Sequence, residues 1–199
     1  HTFYATGALT PITNNLTNSL RFRSSASANL SRTPTVTSNR TTWTWSGWIK
    51  RSNIGGWGAL FSSGASSSSF EYITFRSDDT LQWVTYTTST QANLITTQVF
   101  RDPSAWYHLV VAVDTTQATS SNRVKMYVNG QQITSFGTST YPALNYSSFI
   151  NLNQLHNIGK DQSGDYFDGY MSDVYFIDGQ QLEPYYFGSN DSNNIWKPI

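Results

Sequence analysis

Cysteine is absent from the 199-residue chain, which excludes disulfide staples, cysteine-ligated zinc and a thiol nucleophile and leaves the redox compartment open. Stability must come from packing and hydrogen bonds. Charge is scarce too: twelve acidic and twelve basic residues amount to 12% of the chain and cancel to a formal net charge of zero. With no basic run to neutralise a phosphate backbone, nucleic acid is not an expected partner. Long apolar runs are also missing. None approaches the roughly 18 to 20 residues of a membrane span, and the amino terminus lacks a basic region followed by a hydrophobic stretch. No membrane insertion is expected.

Aromatic and hydroxyl-bearing residues are abundant instead. Phe, Trp and Tyr reach 15%, and Ser, Thr and Asn fill much of the remainder. That mix suits strands with one ring-bearing face and one polar face. At this length a single domain is expected, burying roughly 70% of the surface its unfolded chain exposes.

Residues Trp106 to Ile133 organise the chain. WYHLVVAVD (106–114) alternates around a Val-rich middle, and Val124, Met126 and Val128 alternate with Lys125 and Tyr127. A period of two marks half-buried strands. Asn129-Gly130 tolerates the positive φ angles of a tight hairpin, so the chain should turn there and return through Ile133. Between the runs, TTQATSSN (115–122) is polar and aperiodic, which reads as an exposed loop.

Elsewhere Leu20-Arg21-Phe22 starts the first strand, and Leu30 returns to a sheet before Pro34. TTWTWSGWIK (41–50) sets Trp43 and Trp45 on one face, with Thr44 and Ser46 on the other. Trp43, Trp45, Trp48 and Trp106 are all expected in the core. RSNIGGWG (51–58) is a glycine-rich turn, Ala59-Leu60-Phe61 a strand, and Ser62 to Ser69 a serine loop unable to form core. Strands are expected at Phe70–Arg76 and Leu81–Tyr86 around an Asp78-Asp79 turn, at Leu94–Val99, at Leu155–Ile158 and at Tyr170–Asp178. The last should pair near the first, and only Leu182–Phe187 suits a helical turn. Strands at this spacing without amphipathic helices predict an all-β fold, an antiparallel two-sheet β-sandwich or jelly roll. Residues 1–18 read as an N-terminal arm that either packs on something else, such as a neighbouring subunit, or stays loose, 19–188 as the domain and 189–199 as a C-terminal extension. Because it begins at His1, the chain is expected to be a piece of a longer protein.

Five stretches carry a family resemblance: SLRF (19–22), LSRT (30–33), WTWSGWIKRS (43–52), FRDPSAWYHLVVAVD (100–114) and GDYFDGYMSDVYFIDG (164–179). Together with the Tyr-Val-Asn-Gly end of the second central strand, they resemble laminin-G-like, concanavalin A-like jelly-roll domains from about Ser19 to Gly188. More closely, they look like the version in structural proteins of marine tailed bacteriophages. That resemblance implies a virion structural or adhesion module on a tail, fibre or capsid surface, located at the virion surface or extracellular. Its implied partners are other virion proteins, further copies of itself and host-surface glycans. A secreted lectin-like domain of a cellular organism is the alternative, and a glycoside hydrolase is the third reading.

The residues bear on these readings. Glycosidases need two carboxyl groups roughly 5 to 10 Å apart, yet Glu71 and Glu183 are the only glutamates and lie far apart in sequence. His108 and Asp114 are roughly 20 Å apart on one extended strand, too far to act as a pair, and His156 reads as structural. No enzyme activity is expected. For a sugar, the apolar ring face calls for an exposed aromatic side chain and polar neighbours. Trp57, between Gly56 and Gly58, is the first candidate, because glycines do not shield an indole; Tyr166, next to Asp165, is the second, so the site is expected either at the sandwich end carrying Trp57 or on the rim carrying Asp161 to Asp168. No cofactor is required, but many laminin-G-like domains hold calcium at the sandwich rim through oxygen ligands. The resemblance makes Asp161, Asp165 and Asp168 the candidate calcium ligands.

Overall fold

The structure is a computed structural model that describes residues 16–199; the expected arm lies outside this range except for its last three residues. The central period-two runs form the predicted strands. β8 (Tyr107–Asp114) pairs antiparallel with β9 (Val124–Val128), placing Val111 opposite Met126. Asn129 (φ 48°) and Gly130 (φ 79°) carry the chain into β10 (Gln131–Gln132). Two consecutive left-handed residues are what a two-residue turn of this hand requires. The Ile133 N–H closes the return on the Met126 carbonyl at 2.8 Å. On its other side β8 pairs with β3 (Thr42–Arg51), followed by β13 (Gly169–Asp178) and the edge strand β1 (Leu20–Phe22). The last long strand therefore lies beside the first in a six-stranded antiparallel sheet.

The second sheet runs β11 (Phe136–Thr140), β7 (Ser89–Val99), β6 (Thr80–Thr87), β5 (Ser69–Phe75), β4 (Gly58–Ser66), β12 (His156–Ile158) and β2 (Leu30–Arg32). All its pairings are antiparallel. With no α-helix among the described residues, the chain is an all-β, two-sheet jelly-roll sandwich.

The core lies between the sheets. Trp43, Trp45 and Ile49 of β3, with Leu109, Val111 and Val113 of β8, meet Ile73, Phe75, Trp83 and Leu94 from the opposite sheet. A bulge after Ala59 lets both Leu60 and Phe61 join them, where strict alternation would turn one away. The serine run is more ordered than its composition implies. β4 continues to Ser66, and Ser62 and Ser63 are fully buried. Their hydroxyls donate to the Lys160 carbonyl (2.7 Å) and the Phe149 carbonyl (2.9 Å), and a hydroxyl with an acceptor can be buried at little net cost.

Two tryptophans expected in this core are elsewhere. Trp48 occupies the Thr44 and Ser46 face of β3, so it points away from the other sheet, and Trp106 is half-buried just ahead of β8. Trp48 is nonetheless only 5% exposed, because the C-terminal segment covers it. After a 3-10 turn at Pro184–Tyr186, β14 (Gly188–Asn190) and β15 (Trp196–Pro198) form a small hairpin. Trp196 stacks on His108 at 5.8 Å, and His108 stacks on Trp48 at 5.0 Å. Two glycines make room for the indole: a Cβ on Gly130 or Gly188 would stand 2.5 or 2.6 Å from its ring atoms.

Candidate functional site

Asp79 does more than turn the β5–β6 hairpin. It is 4% exposed; its Oδ1 accepts from Arg51 Nη2 (3.0 Å) and from the Gly55 N–H (2.7 Å), and its Oδ2 accepts from Arg101 Nε (2.9 Å). Burial pushes its pKa up, but the Gly55 amide and the two guanidinium groups outweigh that and hold it below the usual carboxylate range. Burial lowers the pKa of Arg51, against the pull of Asp79. The Gly55 bond fastens the Arg51–Gly58 loop to the hairpin and so fixes where Trp57 stands.

Trp57 is 39% exposed, with the Arg76 guanidinium 5.6 Å from its ring centroid. Ala59 bridges to Tyr166, and Gly58 lies against Phe167. The chain neighbours of Trp57 thereby touch those of Asp165. Lys160 Nζ sits 5.4 Å from the Tyr166 ring centroid. Burial, and then the charges of Asp161 and Asp165, push the Tyr72 phenol up to about 12. Trp57, Asp165 and Tyr166 thus share one rim of the sandwich, joined by Tyr72, Arg76 and Lys160, which sequence reasoning had not singled out.

From Tyr72 an aromatic track continues over the outer face of the seven-stranded sheet. The Phe70 ring stacks on Tyr72 at 5.0 Å and on Tyr86 at 5.2 Å. A period-two reading of Phe70 and Tyr72 against Ile73 and Phe75 would have found this pair, because alternation sends them to the face opposite the core.

The three aspartates expected to hold calcium do not converge. Asp161 is buried, and its Oδ1 accepts the Ser163 and Asp165 N–H groups at 2.8 and 2.9 Å, which closes its own turn. Burial raises its pKa and that of Asp165. Asp168 is drawn away by a strand distant in sequence: Arg21 Nη2 donates to its Oδ1 at 2.7 Å, and Ser24 N–H and Oγ donate to its Oδ2 at 3.2 and 2.9 Å. Although burial pushes upward, those bonds hold Asp168 below the usual range. Among the described residues no three His, Cys, Asp or Glu side chains form a metal-holding group. Spacing alone could not reveal that β1 delivers an arginine to this turn.

Glu71, His108 and His156 are bonded inward. Glu71 is fully buried and accepts from Trp83 Nε1 (3.1 Å), Ser148 Oγ (2.5 Å) and the Phe149 N–H (2.9 Å). Burial lifts its pKa to about 7 against the pull of these donors. His108 Nδ1 accepts the Trp196 indole N–H at 3.0 Å, so its proton lies on Nε2, which meets Ser46 Oγ at 2.8 Å. Burial lowers His108 to about 4, and it also lowers His156. Both histidines have their ring nitrogens hydrogen-bonded within the fold.

Comparison with known proteins agrees with this architecture. A mouse laminin alpha1 chain fragment superposes with a TM-score of 0.59 at 11% identity, over 88% of this chain and 46% of that one. Domain 4 of an extracellular arabinanase from Geobacillus stearothermophilus, solved with arabinotriose, gives 0.54 at 16% identity over 72% and 64%. A heptameric SAP-like pentraxin from Limulus polyphemus gives 0.51 at 18% identity over 73% and 68%. The chain therefore spans less than two thirds of the laminin and arabinanase chains, and at such identities the likeness is one of fold. No curated protein matches it by sequence. Residues 22–182 match the laminin G-type family of the concanavalin A-like lectin/glucanases superfamily, and the chain belongs to that family.

Proposed function

We propose that this chain is a non-enzymatic carbohydrate-binding module, and that it serves as a structural and adhesion domain on the tail, fibre or capsid surface of a tailed phage, facing host glycans. The observation that carries the sugar reading is the exposed Trp57 ring on a rim shared with Tyr166 and Asp165. The apolar face of a pyranose packs on an indole, while carboxylate and backbone groups fix its hydroxyls. Tyr72, Phe70 and Tyr86 extend that platform for further sugar units. A binding role fits the glutamates better than hydrolysis does. A glycosidase needs two carboxyl groups flanking a bond in a cleft, and Glu71 is enclosed and fully bonded while Glu183 precedes the Pro184 turn. The phage context rests on the five resembling stretches.

Single sugar sites bind weakly, so such a module acts best in multiple copies alongside other virion proteins. Host-cell adsorption of a multivalent form tests the reading. Trp57→Ala and Asp165→Ala should each reduce adsorption at unchanged melting temperature. A wild-type form that binds neither cells nor glycans, with or without calcium, would leave a purely architectural role.

A further inference from the structure

A second place in the molecule has the chemistry of a sugar site. On the outer face of the six-stranded sheet, the C-terminal hairpin and the Asn129-Gly130 turn enclose a cleft of about 480 Å³, within the roughly 300 to 1,000 Å³ usual for small-ligand sites. Its walls carry three indoles, Trp48, Trp106 and Trp196, and the amides of Asn129, Gln131, Asn190 and Asn194. We infer that this cleft binds one or two units of a neutral saccharide, independently of the Trp57 rim on the other sheet.

The walls are built in place. Trp196 is wedged against Gly130 and Gly188, and its N–H is fixed on His108 Nδ1. Asn129 Oδ1 accepts the His108 backbone N–H at 2.8 Å, which leaves its Nδ2 as a donor. Across the cleft, the tip bearing Asn194 is closed by Asp191, whose Oδ1 accepts the Asn193 and Ile195 N–H groups, both at 2.9 Å. Indole faces suit the C–H face of a pyranose, and a carboxamide both donates to and accepts from sugar hydroxyls.

The class of sugar follows from charge. Among the described residues, no acidic or basic side chain lines the cleft, so a carboxylate or phosphate entering it would lose hydration without gaining a counter-charge. Sialic and uronic acids should be refused, while hexoses and N-acetylhexosamines should be admitted.

Indole N–H signals of the tryptophans, followed by NMR during titration with glucose, galactose, mannose and N-acetylglucosamine, test this directly. At least one of these sugars should shift Trp48, Trp106 and Trp196, whereas N-acetylneuraminic acid should not. Trp106→Ala should weaken binding about tenfold or more, as expected for loss of an aromatic anchor, and Trp57→Ala should leave these shifts intact. Gln131→Ala, a change on an exposed side chain, should also weaken binding and keeps the test informative if Trp106→Ala disturbs folding. The inference is overturned if no neutral sugar moves these three signals, or if the acidic sugar moves them equally. Binding lost in Trp57→Ala but kept in Trp106→Ala and Gln131→Ala would also overturn it, and would leave the rim reading standing.

Discussion

Two buried titratable side chains oppose each other in their effect on stability. Glu71 has its folded pKa raised to about 7 from 4.5, so its contribution is complete below about pH 4.5 and is lost as pH rises through 7. His108 has its folded pKa lowered to about 4 from 6.5; its contribution is complete above pH 6.5 and is lost as pH falls through 4. Across the overlap the two slopes oppose, so the wild-type curve alone hides both. Glu71→Gln removes one of them. Relative to wild type, its deficit in urea unfolding should be larger at pH 5 than at pH 8 by roughly 2 to 3 kcal/mol. An equal deficit at both values would show that Glu71 is not shifted. Neither group was legible as buried and bonded from sequence, since the Ser148 and Phe149 donors that enclose Glu71 and the Trp196 that meets His108 are distant in the chain.

At the level of elements, alternation and turn chemistry did most of the specifying. The β8–β9–β10 unit follows from a Val-rich period-two run and one Asn-Gly pair, because both signals are local. The failures are non-local. Ser62 and Ser63 look like loop until β12 pairs alongside them and the Lys160 and Phe149 carbonyls arrive to accept their hydroxyls. Asp79 looks like one half of an Asp-Asp turn, yet its neighbour is a surface group and Asp79 itself is the anchor of a separate loop. Asp79→Asn should strand a buried guanidinium and cost about 3 to 5 kcal/mol, whereas Asp78→Asn, in a pair whose carboxylate is 51% exposed, should cost less than about 1 kcal/mol. Chemical denaturation separates them. Similar losses would mean that Asp79 is not the buried anchor of the Arg51–Gly58 loop.

For the whole molecule, the two-sheet sandwich was legible, because strand spacing is written in short stretches; Trp57 and the Asp165–Tyr166 pair read as two separate candidates, since the Ala59–Tyr166 bridge that brings their chain neighbours together is non-local. The Trp48–His108–Trp196 stack was not legible, since it joins β3, β8 and the last residues of the chain. The calcium set was misread for the same reason at Asp168. The central claim is that this fold carries sugar-binding surface rather than sugar-cleaving chemistry. The most direct measurement is binding of a multivalent form to immobilised glycans, with the same glycans assayed for cleavage after prolonged incubation. The account predicts retention of specific glycans, retention reduced by Trp57→Ala at unchanged melting temperature, and every bound glycan recovered intact. Cleavage of any bound glycan, or retention of none, would contradict it.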